Sequence, residues 1–176
     1  PLPHARVRVA DDGQIMVSGV TLHGYLGDVP RRPGEEWATG DLGEIDADGY
    51  VYVRGRIRNV FITSFGRNVA PEWVEREIAQ HPGVRHVMVH GEARPYAVAI
   101  VSAPRESADD ATIDRAIAAA NATLPEYAQV RRWQRAPEPF SFDNGLLTSN
   151  GRLRRPEIVQ RHGDLLDAMY RAGIDS

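Results

Sequence analysis

Hydrophobic and polar residues alternate along the first third of the chain, which is the spacing of β-strands with one buried face. Two polar turns with glycine, Asp11-Asp12-Gly13 and Ala47-Asp48-Gly49, interrupt this alternation. Strands on both sides of each turn predict two hairpins, 5–9 with 14–18 and 43–46 with 50–53. The stretch 24–34 is rich in glycine and proline and predicts a loop. We interpret this region as the end of a larger β subdomain.

The pattern changes near Arg58, and the remainder of the chain mixes strand and helix spacing. Short runs with strand spacing predict strands at 60–63, 84–90, 96–101 and 130–134. Helices are expected to begin at Pro71, Asp110 and Pro156, where proline or an acidic residue favours a helix start. This order predicts an α+β fold, in which a β-hairpin and a mixed sheet are flanked by helices.

Apolar spacing assigns one face of each later helix to the core. In the helix that Asp110 is expected to cap, the apolar face consists of Ile113, Ile117, Ala120 and Leu124. In the last helix, the corresponding face consists of Ile158, His162, Leu165 and Met169. The first helix is expected to end near Gln80, before His81-Pro82-Gly83.

Composition limits the classes of protein to which the chain can belong. Its 176 residues, 42% hydrophobic and 26% charged, are enough for one globular domain, or one domain and part of another. A net charge of −3 gives no electrostatic attraction to nucleic acid. Apolar runs are far shorter than the roughly 20 residues of a membrane span. No secretion signal is recognisable at the N-terminus, so a cytoplasmic location is expected.

Metal sites and amine chemistry have little support in the sequence. The chain has no cysteine, and all 21 of its basic side chains are arginine, so no lysine amine is available as a nucleophile. Among the histidines, His86 and His90 share one side of a predicted strand, where a solvent-facing position is favoured over a zinc site. We therefore expect no protein metal site. The segment Arg131–Arg135 is interpreted as an exposed strand with Trp133 packed, rather than a nucleic-acid surface.

Two polar residues have the chemistry of a nucleotide site. Asp41 follows Thr39-Gly40, and its carboxylate can accept hydrogen bonds from both hydroxyls of a ribose. Arg56 follows Gly55, and its planar guanidinium suits sugar hydroxyls and phosphate oxygens. Taken alone, each segment is more typical of a turn between strands than of a nucleotide site, because glycine, aspartate and threonine favour turns.

Three segments in order resemble the second half of the AMP-forming acyl-CoA synthetases, which are adenylate-forming ligases. They are Trp37–Gly43, Gly55–Asn59 and Ser64–Glu72. The resemblance implies that Asp41 and Arg56 bind the ribose. It places Arg58 at the hinge of the C-terminal domain, where the family usually has Asp or Lys. It also implies that Ser64, Phe65 and Gly66 face the pantetheine tunnel after the domain rotates.

The segment 144–155, Asn-Gly-Leu-Leu-Thr-Ser-Asn-Gly-Arg-Leu-Arg-Arg, resembles the catalytic-lysine loop of the long-chain fatty acid branch. In the family that lysine stabilises charge between the carboxylate and the α-phosphate. Arg152 holds its position here, and this departure puts conventional adenylation in doubt. We expect Arg152 to be the catalytic residue of this loop.

The resemblance implies a C-terminal part of an acyl-CoA ligase, with 1–57 the end of the N-terminal domain and 58–176 the C-terminal domain. The expected substrates are a fatty or other carboxylic acid, ATP and CoA, with Mg²⁺ and AMP. An adenylation domain that loads a carrier protein and a non-catalytic interaction module are the alternatives. Because the family's Ser/Thr/Gly-rich triphosphate loop and acyl pocket belong to the missing N-terminal ligase domain, the chain alone is expected to be inactive.

Overall fold

A computed structural model describes residues 4–19, 32, 34–104, 106 and 108–171. These residues form two compact units, and the division lies between Val60 and Phe61. The predicted α+β fold is confirmed. The division of the sequence into 1–57 and 58–176 stays a prediction. Most of the glycine- and proline-rich stretch 24–34, predicted to be a loop, lies outside the described residues.

The first unit is a four-stranded antiparallel sheet in the order β1-β2-β3-β4. Its strands are β1 (Arg6–Val9), β2 (Gln14–Ser18), β3 (Trp37–Ile45) and β4 (Val51–Arg56). Both predicted hairpins are confirmed. A short 3₁₀ helix, Ile57–Asn59, follows β4.

Strand β3 begins at Trp37, earlier than the sequence pattern predicted, and includes Thr39-Gly40-Asp41. The interpretation of this tripeptide as a turn is therefore wrong. Gly40 has a φ of 77°, and the β3–β4 register shifts between Leu42 and Gly43. Such a bulge bends a strand and re-aims its side chains. This irregularity hides the strand from an alternation pattern.

The second unit contains five strands and three α-helices among its described residues. The strands are β5 (Phe61–Ile62), β6 (Asn68–Val69), β7 (His86–His90), β8 (Ala97–Ser102) and β9 (Val130–Arg135). The helices are α1 (Pro71–Ala79), α2 (Asp110–Thr123) and α3 (Arg155–Arg171), with a 3₁₀ helix at Glu126–Ala128. Strands β5 and β6 form a small hairpin, and β7-β8-β9 form a mixed sheet with β8 parallel to β9.

Strand β8 is the centre of this unit, and all of its residues are buried. Ala97, Ala99 and Val101 face a core cluster that includes residues of α1 and α2. Val98 and Ile100 face a second cluster that includes residues of α3. Both faces of the strand are therefore covered, which explains why β8 is apolar throughout.

Two helix details differ from the predictions. The N-cap of α2 is Asp109, whose carboxylate accepts a 2.8 Å hydrogen bond from the backbone N–H of Thr112, whereas Asp110 is the first helical residue. In α3, Leu166 is buried and Leu165 is only partly buried. The backbone of His162 leaves helical geometry (φ −118°, ψ 22°), so the two halves of α3 do not share one regular helical stripe.

Candidate functional site

Asp41 and Arg56 are directly opposite each other in the β3–β4 ladder. Arg56 Nε lies 2.8 Å from Asp41 Oδ1, and Arg56 Nη1 donates to the carbonyl of Thr39 at 3.4 Å. The hydroxyl of Thr39 accepts from the Asp41 N–H at 3.0 Å and donates to the Ile15 carbonyl at 2.8 Å. Thr39 thus holds the backbone of Asp41, and Arg56 orients its carboxylate.

This pair combines acceptor and donor groups at a solvent-accessible position. The side chain of Asp41 is 26% exposed and that of Arg56 is 46% exposed. A carboxylate oxygen can accept hydrogen bonds from vicinal hydroxyls, while the guanidinium has further N–H groups to donate. The two residues that the sequence analysis assigned to a ribose are therefore adjacent, and their roles stay predictions.

Arg58 is exposed and lies within the 3₁₀ helix just before the division between the units. The Val60 N–H donates to the Ile57 carbonyl at 3.1 Å and closes this helical turn. A residue at this point can change its backbone angles without disturbing a sheet. Its role as hinge stays a prediction.

Ser64, Phe65 and Gly66 form the turn of the β5–β6 hairpin. The Gly66 N–H donates to the Thr63 carbonyl at 2.9 Å, and Gly66 has a φ of 72°. The Phe65 side chain is 75% exposed. A Cβ atom at Gly66 would meet no atom within 4 Å, so the backbone angle and not the space requires glycine here. This turn, which we call the Gly66 turn, is open to an approaching molecule.

A cavity of about 320 Å³ adjoins the Gly66 turn within the second unit. It is lined by Thr63, Phe65, Arg67, Pro95, Tyr96, Glu126, Tyr127 and Arg131. The guanidinium of Arg67 lies 5.8 Å from the ring centroid of Tyr127, and Arg131 pairs with Glu126 at 3.1 Å. Exposed rings and guanidinium groups suit a ligand with a flat ring or anionic groups.

Sequence analysis missed this cavity. Tyr127 lies in a 3₁₀ helix and Arg131 in the parallel strand β9, so they approach the Gly66 turn only through the fold. The arginine-rich segment around Arg131 is a strand, as the sequence predicted. Its position next to the turn depends on the parallel pairing of β8 and β9, for which the sequence has no local signal.

Arg152 lies in a tight turn between Leu147 and Leu153, which form an antiparallel bridge. The Thr148 N–H donates to the Arg152 carbonyl at 2.8 Å, and the Thr148 hydroxyl accepts from the Arg152 N–H at 3.1 Å. Gly151 supplies a φ of 74° within the turn. The Arg152 side chain is exposed, so this loop, which we call the Arg152 turn, presents a guanidinium to solvent.

A buried charge network anchors the chain just after this turn. The guanidinium of Arg155 pairs with the Glu75 carboxylate, and its Nε lies 3.9 Å from Glu72 Oε1. Glu75 also accepts a 2.7 Å hydrogen bond from the Val89 N–H. Burial raises the pKa of Glu75, and the nearby Arg155 and the Val89 N–H oppose that rise. The network connects the start of α3 to α1 and β7.

The described residues contain no group of three or more His, Cys, Asp or Glu side chains placed to hold a metal ion. Among the same residues, no helix has both the length and the apolar character that crossing a membrane requires.

Comparisons with known proteins agree with the motifs. Over residues 58–173, the chain matches the family model described as AMP-binding enzyme C-terminal domain. It is 27% identical to the long-chain-fatty-acid–CoA ligase FadD15 of Mycobacterium tuberculosis, over 97% of this chain and 33% of that protein. The chain thus spans about a third of the length of this relative.

Solved structures of adenylation domains have the same fold. The adenylation domain of a carboxylate reductase from Mycobacterium chelonae matches with a TM-score of 0.75 at 22% identity, over 97% of this chain and 31% of that one. An adenylation and PCP didomain of a carboxylic acid reductase from Segniliparus rugosus, in complex with AMP, matches with a TM-score of 0.72 at 23% identity, over 97% and 28% of the two chains. The resemblance to adenylate-forming ligases is confirmed. Since the family model covers well over half of the sequence, the chain belongs to the AMP-binding enzyme C-terminal domain family.

Proposed function

We propose that the chain is the C-terminal part of an ATP-dependent, AMP-forming acyl-CoA ligase that acts on long-chain fatty acids. The cross-strand pairing of Asp41 with Arg56 carries this proposal, because it puts a carboxylate and a guanidinium side by side at the two positions where the family resemblance implies the ribose contacts. The match to a long-chain-fatty-acid–CoA ligase supports the substrate class. Adenylation of the acid with release of pyrophosphate would be followed by attack of the CoA thiol with release of AMP.

In both steps the nucleotide would be held by its ribose. Asp41 would accept hydrogen bonds from the two ribose hydroxyls, and Arg56 would keep the carboxylate in place while donating to the sugar or the phosphate. Hydrogen bonds to a charged group contribute about 1.5–3 kcal/mol each. The Asp41 site would therefore account for a large part of nucleotide affinity.

The Arg152 turn would serve adenylation, and the Gly66 turn would serve thioester formation. Arg152 would donate to the developing charge between carboxylate and α-phosphate. Rotation of the domain about Arg58 would then bring the Gly66 turn to the acyl-AMP. Mg²⁺ would accompany ATP as a charge-neutralising ion, and none of the described residues is assigned to it.

The cavity beside the Gly66 turn would bind the polar end of the thiol donor. Arg67 and Arg131 would attract phosphate groups, and Phe65 and Tyr127 offer surfaces for a flat ring. CoA carries both features. A phosphopantetheinylated carrier protein has only the phosphate and the thiol arm in common with CoA, and the adenylation and PCP didomain of similar fold makes it the second candidate.

Nucleotide binding is tested in the complete ligase with ATP–pyrophosphate exchange. Asp41→Asn and Arg56→Leu should each raise the KM for ATP by roughly tenfold or more, since each removes charged hydrogen bonds. Arg54→Leu is the matched control, because Arg54 lies on the same strand and pairs with Glu44 at an exposed position. Equal effects of Arg54→Leu and Arg56→Leu would contradict the ribose assignment.

The acceptor and the fragment itself are tested separately. Purified 176-residue chain should show no exchange with any fatty acid, and robust exchange would contradict the proposal. In the complete ligase, Arg67→Gln with Arg131→Gln should raise the KM for CoA while leaving exchange unchanged. Turnover with a phosphopantetheinylated carrier protein but not with CoA would favour the second candidate.

The hinge has an independent test that needs no substrate. Hydrogen exchange should be faster at Arg56–Asn59 than in the flanking strands, because a rotating junction must break its local hydrogen bonds. Limited trypsin digestion should cut first at Arg56 or Arg58. Uniformly slow exchange across this segment would count against a hinge.

A further inference from the structure

The loop between β7 and β8, residues 91–96, makes hydrogen bonds to the end of β5 and to the Gly66 turn. Within it, the Ala93 N–H donates to the Ile62 carbonyl at 2.8 Å, and the Arg94 carbonyl accepts from the Ser64 N–H at 2.9 Å. The Glu92 carboxylate accepts from the Ile62 N–H at 3.3 Å. The backbone of the Gly66 turn is therefore fixed to a second loop, distant in sequence.

That second loop has a conformation that its neighbours must hold in place. Ala93 has a φ of 53°, the only positive φ of a non-glycine residue in the described part of the chain. This left-handed backbone is unfavourable for alanine, because its Cβ comes too close to the following carbonyl oxygen. Gly91 lies so close to Phe61 that a Cβ atom would come within 2.5 Å of the ring. The loop is strained and tightly packed, so its position depends on what contacts it.

The last turn of α3 supplies those contacts through Arg94. The Arg94 guanidinium pairs with Asp167 at 2.6 Å and lies 4.7 Å from the ring centroid of Tyr170. The Tyr170 hydroxyl lies 3.1 Å from the carbonyl of His90, which precedes the loop, and 3.2 Å from that of Tyr96, the last residue of the loop. A tyrosine hydroxyl is protonated at neutral pH and can donate to these carbonyls, and burial raises the pKa of Tyr170 further above its ordinary value.

These contacts form a continuous connection from α3 to the Gly66 turn. Asp167 and Tyr170 fix the side chain of Arg94, and the carbonyl of Arg94 fixes the N–H of Ser64. Neither Asp167 nor Tyr170 is close in sequence to the turn. The sequence motif assigned to the thioester step, Ser64-Phe65-Gly66, includes neither of these two residues.

We propose that Arg94 is a positioning residue for the Gly66 turn, held in place by Asp167 and Tyr170 of α3. This proposal rests on the proposed function. It gives the C-terminal end of α3 a part in the thioester step, as a support for the turn and not as a group that touches substrate. Loss of Arg94 would let the 91–96 loop relax from its strained geometry, and the Ser64–Gly66 backbone would move with it.

Hydrogen exchange on the 176-residue chain tests the positioning without any activity. Arg94→Gln and Tyr170→Phe should each speed exchange of the Ser64 amide roughly fivefold, while exchange within α1 stays unchanged. Arg161→Gln is the matched control. Arg161 is an exposed arginine of α3, the helix of Asp167 and Tyr170, and it pairs with Glu138 at 3.2 Å. Equal exchange at Ser64 in Arg94→Gln and Arg161→Gln would overturn the proposal, and so would faster exchange throughout the second unit.

Kinetics of the two half-reactions separate this proposal from the proposed function. In the complete ligase, Arg94→Gln should slow thioester formation from preformed acyl-AMP, with adenylation unchanged. Arg94→Lys, which keeps the positive charge that pairs with Asp167, should recover part of the rate. Faster exchange at Ser64 without slower thioester formation would support the positioning contact and overturn its assignment to that step.

Discussion

Replacing Arg155 with leucine should strongly destabilise the second unit. Arg155 spans from the start of α3 to Glu75 of α1, and it also lies 3.5 Å from the Val89 carbonyl. The side chains are only 18% and 11% exposed. Arg155→Leu would leave the carboxylate of Glu75 buried, with the Val89 N–H as its remaining strong donor.

The expected loss of stability follows from this burial. Removing one partner of a buried ion pair costs about 3–5 kcal/mol, because the remaining charge is left without compensation. Exposed pairs contribute about 0–1 kcal/mol. Arg154, the preceding residue, pairs with Glu157 at side-chain exposures of 45% and 36%. Arg154→Leu should therefore cost less than about 1 kcal/mol and serves as the matched control.

The pH dependence distinguishes lost charge compensation from lost packing. Burial already raises the pKa of Glu75 in the folded chain, and without Arg155 that pKa should rise further. A folded-state pKa above the unfolded value means that the folded chain gains stability as pH falls through it. The destabilisation by Arg155→Leu should thus be largest at high pH and shrink toward acid, by up to about 1.4 kcal/mol per pH unit.

Urea unfolding followed by tryptophan fluorescence measures this difference. Trp73 and Trp133 pack against the core of the second unit, and a Trp37→Phe background removes the reporter of the first. Wild type, Arg155→Leu and Arg154→Leu would be compared at about pH 8 and about pH 5.5. A cost below about 1 kcal/mol for Arg155→Leu, or one that does not change with pH, would refute the reasoning.

Other predictions concern single sites. Arg152→Lys in the complete ligase should speed adenylation, by up to about a hundredfold if donor geometry limits the rate, and should leave thioester formation from acyl-AMP unchanged. An unchanged or slower adenylation rate would contradict the assignment of Arg152 as the catalytic residue. Burial lowers the pKa of His162, so stability should fall as pH drops through the ordinary histidine value of 6.5, and His162→Gln should flatten that decline in urea titrations. Gly66→Ala should lower the free energy of unfolding by about 1 kcal/mol, because alanine disfavours the positive φ of this position although there is space for its Cβ. Gly163→Ala in α3 is the control, since its Cβ would also meet no atom within 4 Å, and it should be neutral or stabilising.

Local sequence signals were enough for most elements of the fold. Turn residues fixed the position of the β1–β2 hairpin, and Pro71 marked the start of α1, as the structure has them. The predicted N-cap of α2 is wrong because two neighbouring residues have equal chemistry. Asp109 and Asp110 can each cap a helix, and only the hydrogen bond to Thr112 decides between them. The kink at His162 likewise decides which leucine is buried, and no spacing rule predicts it.

For the candidate site, the sequence supplied candidate residues but not their arrangement. Asp41 and Arg56 were identified by motif, but their direct opposition depends on the register between β3 and β4, which shifts at Leu42/Gly43. The cavity beside the Gly66 turn depends on contacts between segments far apart in the chain. Long-range pairing is set by the packed core as a whole, so a linear pattern cannot specify it.

The Gly66 turn and the Arg152 turn are both connected to α3, and under the proposed function this bears on how a two-step reaction could use them. Arg155 fixes the start of α3, next to the Arg152 turn, to Glu75. Arg94 connects the end of α3 to the Gly66 turn through Asp167. Under the proposed function, neither turn needs to move independently. Rotation of this unit as one body would withdraw the Arg152 turn and deliver the Gly66 turn in the same motion, and the helix between them would keep their separation constant.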